Sequence, residues 1–184
     1  MIVIAVVVAD IVAPKQKITL PPIETTKAAI VETTSAWEEP TTVWGLEITY
    51  YRVNGVGPEK DWQRYLYDRL EAHGIAWFYQ TAICQIYQES NWNRWSDNGH
   101  DKGLCQFKEI YWADRCAAAG WPGSDIWDVY AQLHVYAWTM AGYLSQSGGN
   151  VEMALSMYYL GRMEYSGEYV GHVMRWLDYL KVVE

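Results

Sequence analysis

Apolar side chains recur at helical spacing along the chain after Gly57-Pro58, and no comparable period precedes that point. Across residues 61–73, Trp62, Tyr65, Leu66 and Leu70 share one side, Asp68, Arg69 and Glu71 lie elsewhere, and Gly74 follows as a stop. Residues 75–90 repeat the pattern with Phe78, Tyr79, Ala82, Ile83 and Ile86. Further helices are predicted over 107–119, 126–146, 151–160 and 165–182, separated by Gly120, Pro122-Gly123, Gly148-Gly149 and Gly161. Residues 91–102 are polar and turn-rich around Ser96-Asp97-Asn98-Gly99, which reads as a loop or small hairpin. The expected fold is all-α: one compact helical domain over 57–184 with a single irregular loop.

The N-terminal portion has a different character. Residues 1–13 are mostly aliphatic, with Ala9 and Ala13 near the end, and fit the apolar part of a secretion signal or the stub of a membrane anchor. A basic start is missing and the run is too short to span a bilayer, so a β-strand or an imprecise start site is the competing reading. Residues 14–56 turn to Pro, Thr, Glu and Lys, as in Pro21-Pro22, Thr25-Thr26 and Glu38-Glu39-Pro40, the composition of an extended linker or arm. Within it, 46–53 alternates loosely and is rich in Tyr, Ile and Thr, which predicts a short strand or extended arm. The expectation is an exported domain, extracellular or at the cell surface, with membrane contact only through the N-terminal segment.

Charge and residue usage narrow the partners. A formal net charge of −8 argues against binding nucleic acid over a broad surface. With 11 Trp and 15 Tyr against 2 Phe, the chain favours rings that join a flat apolar face to a polar edge. Such rings suit sugars as well as core packing, and Trp92, Trp95, Tyr111, Trp112 and Trp121 are the candidate platforms. Cys84, Cys105 and Cys116 form no Cys-x-x-Cys pair and the four histidines are scattered, so no metal centre is expected. The cysteines read as small buried side chains, with a single disulfide left open. No Gly-x-Ser-x-Gly, phosphate-loop or His-Glu-x-x-His motif occurs, and no cofactor is expected.

Glu89 stands out. It follows Ile86 by three positions, on or beside the apolar stripe at the C-terminal end of its helix. Burial and the negative end of the helix dipole both disfavour the charged carboxylate there. A carboxyl kept protonated near neutral pH is what a general acid requires. Gly103-Leu104-Cys105-Gln106 follows, a glycine-bounded loop able to bring the Gln106 amide back towards that acid.

Glu89-Ser90, Gly103-Leu104-Cys105-Gln106 and Ala154-Leu155-Ser156-Met157-Tyr158-Tyr159-Leu160-Gly161, in that order, resemble the lytic transglycosylases of the soluble type and the goose-type lysozymes. In that family a Glu-Ser ends a helix, Gly-Leu-x-Gln forms a loop, and an Ala-x-x-Ala-Tyr-Asn-x-Gly segment follows. Tyr169-Val170 with Val173 resembles its closing helix. Cys105 stands where Met is usual, Tyr159 where Asn is usual, and Ser96 and Gly99 fall only near the family's loop Ser and Gly. The resemblance covers residue 61 to the C-terminus.

It implies a lysozyme-like helical domain that cleaves the β-1,4 bond between N-acetylmuramic acid and N-acetylglucosamine in peptidoglycan glycan strands. Glu89 would be the single catalytic acid and base, and the product would carry 1,6-anhydro ends. Gln106, Tyr158, Ser90, Ser96 and Trp92 would bind substrate: Gln106 by orienting the acetamido group or the acid, Tyr158 by bonding Glu89 or the sugar. The alternatives are a lysozyme-type hydrolase, with Asp97 or Asp101 supplying a second carboxylate, and a non-catalytic peptidoglycan-binding protein.

Overall fold

The computed structural model describes residues 48–183; the apolar segment 1–13 and the 14–47 part of the expected linker lie outside the described residues. Strand β1 (Tyr51–Val53) leads into α1 (Lys60–Ala72), a 3-10 turn over Ala76–Phe78, and α2 (Tyr79–Ser90). Strands β2 (Asp101–Lys102) and β3 (Phe107–Lys108) form an antiparallel hairpin ahead of α3 (Glu109–Ala118). Then come α4 (Val129–Gln146), α5 (Val151–Leu160), α6 (Gly167–Trp176), a 3-10 turn over Leu177–Tyr179, and β4 (Leu180–Val182). The described residues are mostly helical, as the apolar periodicity predicts.

Helix α4 is the centre. It packs against α1, α3 and α5, while α2 packs on α6 and α1. Ten of its 18 residues are buried, as expected of a helix enclosed by neighbours rather than laid on a surface. Leu133, Tyr136 and Met140 of α4 share one apolar core with Leu66 and Leu70 of α1, Ile83 and Ile86 of α2, Leu155 of α5 and Val173 of α6. Each such aliphatic side chain contributes about 1.5–3 kcal/mol by leaving water. Cys84, Cys105 and Cys116 are buried and unpaired within this framework.

Capping groups decide where the helices begin and stop. Asp128 Oδ1 accepts from the N–H groups of Tyr130 and Ala131 at 2.9 and 3.2 Å, so α4 starts at Val129 and not at residue 126. Asn150 Oδ1 does the same for Met153 at 3.0 Å, and α5 ends on Gly161, whose left-handed backbone returns its N–H to Met157. The helix expected from residue 107 starts instead at Glu109, because Phe107 pairs in the hairpin.

The last expected helix is also shorter than its apolar pattern. The chain leaves it after Trp176, and Leu180–Val182 returns as a strand against β1, with Tyr51 opposite Val182 and Val53 opposite Leu180. The strand expected within 46–53 is thus present at Tyr51–Val53, and the packed unit reaches back past the boundary drawn at residue 57, to a buried Ile48. Gln63 fastens this corner: its Oε1 accepts from the Tyr51 N–H at 2.8 Å and the Tyr79 hydroxyl at 3.1 Å. Among the described residues no helix is long and apolar enough to cross a membrane.

A second buried glutamine fixes the irregular loop. Gln132 of α4 accepts from the Cys105 N–H at 2.7 Å, and its amide nitrogen reaches the carbonyls of Ile126 and Lys102. Space for that amide exists only because residue 103 is glycine. Its φ is +74°, and a Cβ there would lie 1.7 Å from Gln132 Nε2. Gly103→Ala combines a left-handed backbone with a collision, and we expect it to lose roughly 2–5 kcal/mol of stability. Urea unfolding of the two proteins measures that difference.

Candidate functional site

Helix α2 delivers Glu89 to the edge of the core and then stops abruptly. Asn91 takes a left-handed conformation at φ 56° and gives its N–H to the Tyr87 carbonyl at 2.7 Å, and Trp92 follows at φ 61°. The chain turns away immediately after the acid, so the loop 91–106 folds back beside it. Gln106, also left-handed at φ 51°, braces that loop internally. Its Nε2 donates to the carbonyls of Gly103 (2.8 Å) and Ser96 (3.2 Å), and its Oε1 accepts from Asn98 Nδ2 at 3.3 Å.

Glu89 itself is held by α6. The Tyr169 hydroxyl donates to Glu89 Oε1 and accepts from Gln85 Nε2 at 3.1 Å. Gln85 Oε1 in turn accepts from the Tyr136 hydroxyl at 2.7 Å. Gln85 and Tyr136 are fully buried, and the three hydrogen bonds run in one direction, from α4 through α2 and α6 to the carboxyl.

Burial pushes the Glu89 carboxyl up from 4.5 to about 7; the Tyr169 hydrogen bond works against that rise, and the negative charge of Asp101 adds to it. With Oε1 occupied by Tyr169, Oε2 is left to carry the proton. The neighbouring Cys105 thiol stays protonated because it too is buried, with the Glu89 charge pushing it further in the same direction.

The remaining predicted residues occupy different places. Tyr158 does not bond the acid; its hydroxyl donates to the Cys105 carbonyl at 2.6 Å, which ties α5 to the loop. Ser90 is buried and turns its hydroxyl back to the Ile86 carbonyl at 3.4 Å. Ser96 enters through its backbone carbonyl, which accepts from the Gly103 N–H at 2.7 Å. Trp92 is only 6% exposed and belongs to the core, so it is no open sugar platform, and Trp112 is equally enclosed. Trp121 lies against the His134 ring at 4.7 Å. Asp97 makes a turn, accepting from the Gly99 N–H at 2.7 Å, whereas Asp101 lies near enough for its charge to act on Glu89.

Tyr169, which the sequence offers only as part of the closing helix, completes the site together with Gln85 and Tyr136, which the sequence does not single out. The available signal is Gln85, a polar residue one helical turn before Glu89 on an otherwise apolar face. Tyr159, where the resembled family has Asn, stacks flat on Tyr169 with ring centres 4.6 Å apart and planes within 7°.

Two clefts lie away from Glu89. One, of about 620 Å³, is lined by Tyr111, Trp138, Arg115 and His73 among others; a second, of about 430 Å³, is walled by Trp62, Trp95, Trp127 and Tyr130. Among the described residues no group of three or more His, Cys, Asp or Glu side chains could hold a metal ion. Comparison with protein families, characterised proteins and solved structures finds no match for this chain.

Holding a carboxyl at about 7 instead of 4.5 destabilises the fold by ~3 kcal/mol once the pH exceeds both values. Below 4.5 the folded and unfolded chains both carry the proton and that penalty vanishes; it builds up between 4.5 and about 7 and is complete above that. Glu89→Gln is therefore expected to be more heat-stable than the parent at pH 8, with a smaller difference at pH 4, as measured by melting at both. Tyr169→Phe removes a donor that favours the charged form, so the Glu89 titration moves above 7. Carboxyl NMR in the two proteins reads the direction.

Proposed function

We propose that this domain is a peptidoglycan lytic transglycosylase of lysozyme-like architecture, cleaving the β-1,4 bond between N-acetylmuramic acid and N-acetylglucosamine. The observation that carries the reading is a half-buried carboxyl pushed up to about 7 and anchored by one oxygen to Tyr169. Glu89 Oε2 gives its proton to the glycosidic oxygen as the bond to the anomeric carbon breaks. The substrate's own 2-acetamido oxygen supports the positive charge developing there. The Glu89 carboxylate then takes the proton of the 6-hydroxyl, whose oxygen closes on the anomeric carbon. The product ends in a 1,6-anhydro ring, and the acid is restored.

Such chemistry needs neither a second carboxylate nor a cofactor, since the substrate supplies the other group. The substrate implies work outside the cytoplasm, at the cell surface or beyond. Gln106 and Tyr158 serve this reading by keeping the loop beside the acid in one shape rather than by bonding the carboxyl.

One observation favours a second reading. Asp101 raises the proton affinity of Glu89 through its charge, and in an inverting hydrolase a carboxylate near the acid activates water.

Digestion of purified peptidoglycan, followed by weighing of the muropeptides, separates these readings. Anhydro ends are expected; reducing ends would transfer the reaction to water, and an intact polymer would overturn the enzymatic reading. Glu89→Gln is expected to lower cleavage by at least ~10²-fold, the contribution of a general acid, while remaining folded. Only the protonated acid can donate, so the rate should fall as pH rises through about 7. A rate that climbs across that interval would exclude Glu89 as the proton donor.

A further inference from the structure

We infer that the cleft walled by Trp62, Trp95, Trp127 and Tyr130 is a binding subsite for an uncharged pyranose unit. The inference rests on the reading above in placing that unit in a glycan strand. Its volume, about 430 Å³, falls within the ~300–1,000 Å³ of small-molecule sites. Trp95 is 62% exposed, so its indole is open to a ligand. Its ring is tilted 40° to that of Trp127, with centres 5.8 Å apart, so the pair forms an open angle rather than a closed stack.

The walls are held in place before any ligand arrives. Arg94 lies over the Trp95 ring at 4.6 Å and donates to the Trp127 carbonyl at 3.0 Å, tying the two tryptophans together. Tyr65 meets the Tyr130 ring edge-on at 5.0 Å. The acidic part of the lining comes from Asp125 and Asp128. Both use Oδ1 for backbone N–H groups, of Trp127 for the first and of Tyr130 and Ala131 for the second. The two carboxylates that line the cleft are acceptors for ring hydroxyls.

Electrostatics selects the ligand. A cage of aromatics with two carboxylates also suits an organic cation. Here, however, the cation positions are taken by the protein itself, with Arg94 over Trp95 and the Lys102 ammonium 5.7 Å from the centre of Trp127. An anionic ligand would meet Asp125 and Asp128 on a chain of net charge −8. A neutral ring, apolar on one face and hydroxylated at its rim, meets neither objection.

Position links the cleft to the acid. Arg94 and Trp95 sit on the segment that leaves α2 directly after Glu89, and Lys102 lies on the hairpin strand that approaches Gln132. One loop therefore carries a wall of the cleft and, at Asp101 and Cys105, neighbours of the acid, so a polymer gripped by Trp95 is held by the same loop that borders Glu89.

The test uses the full chain carrying Glu89→Gln, titrated with tetra-N-acetylchitotetraose while tryptophan emission is recorded. Saturable binding is expected, weakened about tenfold by adding Trp95→Ala and by adding Trp127→Phe. Trp138→Ala, in the other cleft, should leave it unchanged. In the active protein Trp95→Ala should raise the peptidoglycan concentration needed for half-maximal rate while leaving the saturated rate near the parent's. Equal affinity in the folded Trp95→Ala and Trp127→Phe proteins would overturn the inference, as would displacement of the sugar by choline. Cleavage that is indifferent to both tryptophans would remove the subsite and keep the enzyme. Sugar binding that depends on Trp95, in a protein that never cuts peptidoglycan, would keep the subsite and remove the enzyme.

Discussion

The Glu89 carboxyl is short of both of its usual stabilisers: it is partly withdrawn from bulk water, and it sits at the unfavourable end of a helix dipole. Tyr169 supplies a single hydrogen bond in their place. One donor is a compromise with a clear physical logic. Two or three donors would bring the carboxyl down into its ordinary range and ionise it; none would leave it free to rotate. The direction of that one bond is set from a distance. Tyr136 donates to Gln85 Oε1, which forces the Gln85 amide nitrogen towards Tyr169; the Tyr169 oxygen then accepts, and its proton can only point at Glu89.

The loop beside the acid is fastened from two sides by groups that have no chemistry of their own. Gln132 holds the Cys105 N–H, and Tyr158 holds the Cys105 carbonyl, so both polar groups of that peptide segment are committed to helices of the core. Asn91, Trp92 and Gln106 all carry positive φ, unusual for residues other than glycine, and they bracket the loop. Backbone strain of this kind persists where the surroundings over-determine it, and the burial of Trp92 and Leu104 supplies that determination. The result is a loop whose shape is decided by the core rather than by a ligand.

The pattern of apolar positions made the helices legible and left their ends obscure. Residues 151–160 stand as α5 over the predicted span because Asn150 and Gly161 punctuate it in the sequence itself. The start of α4 was misplaced because Ile126 continues the apolar period, while the Asp128 cap is a local polar decision. Strand β4 was invisible: Leu180-Lys181-Val182 extends the helical pattern of α6, and only its distant partner β1 makes it a strand. At the site, Glu89 was legible from its position on the stripe, and its environment was not. Tyr158 and Tyr169 are both tyrosines on facing helices, and which one reaches the acid depends on how α5 and α6 pack, a fact that no linear spacing encodes.

Tyr159 bears on which reaction the site would favour. An asparagine in its place would offer an amide to the substrate; the tyrosine instead lays its ring flat over Tyr169. That stack covers one face of the residue that anchors Glu89. It also sets an aromatic face where the resembled family has an amide. Hydrolysis requires an ordered water at the anomeric carbon, whereas closure by the sugar's own 6-hydroxyl requires only that water stay away and the ring be held. On the proposed reading, replacing an amide by an aromatic face gives up one polar contact to the substrate and shifts the competition between water and the 6-hydroxyl towards the intramolecular partner.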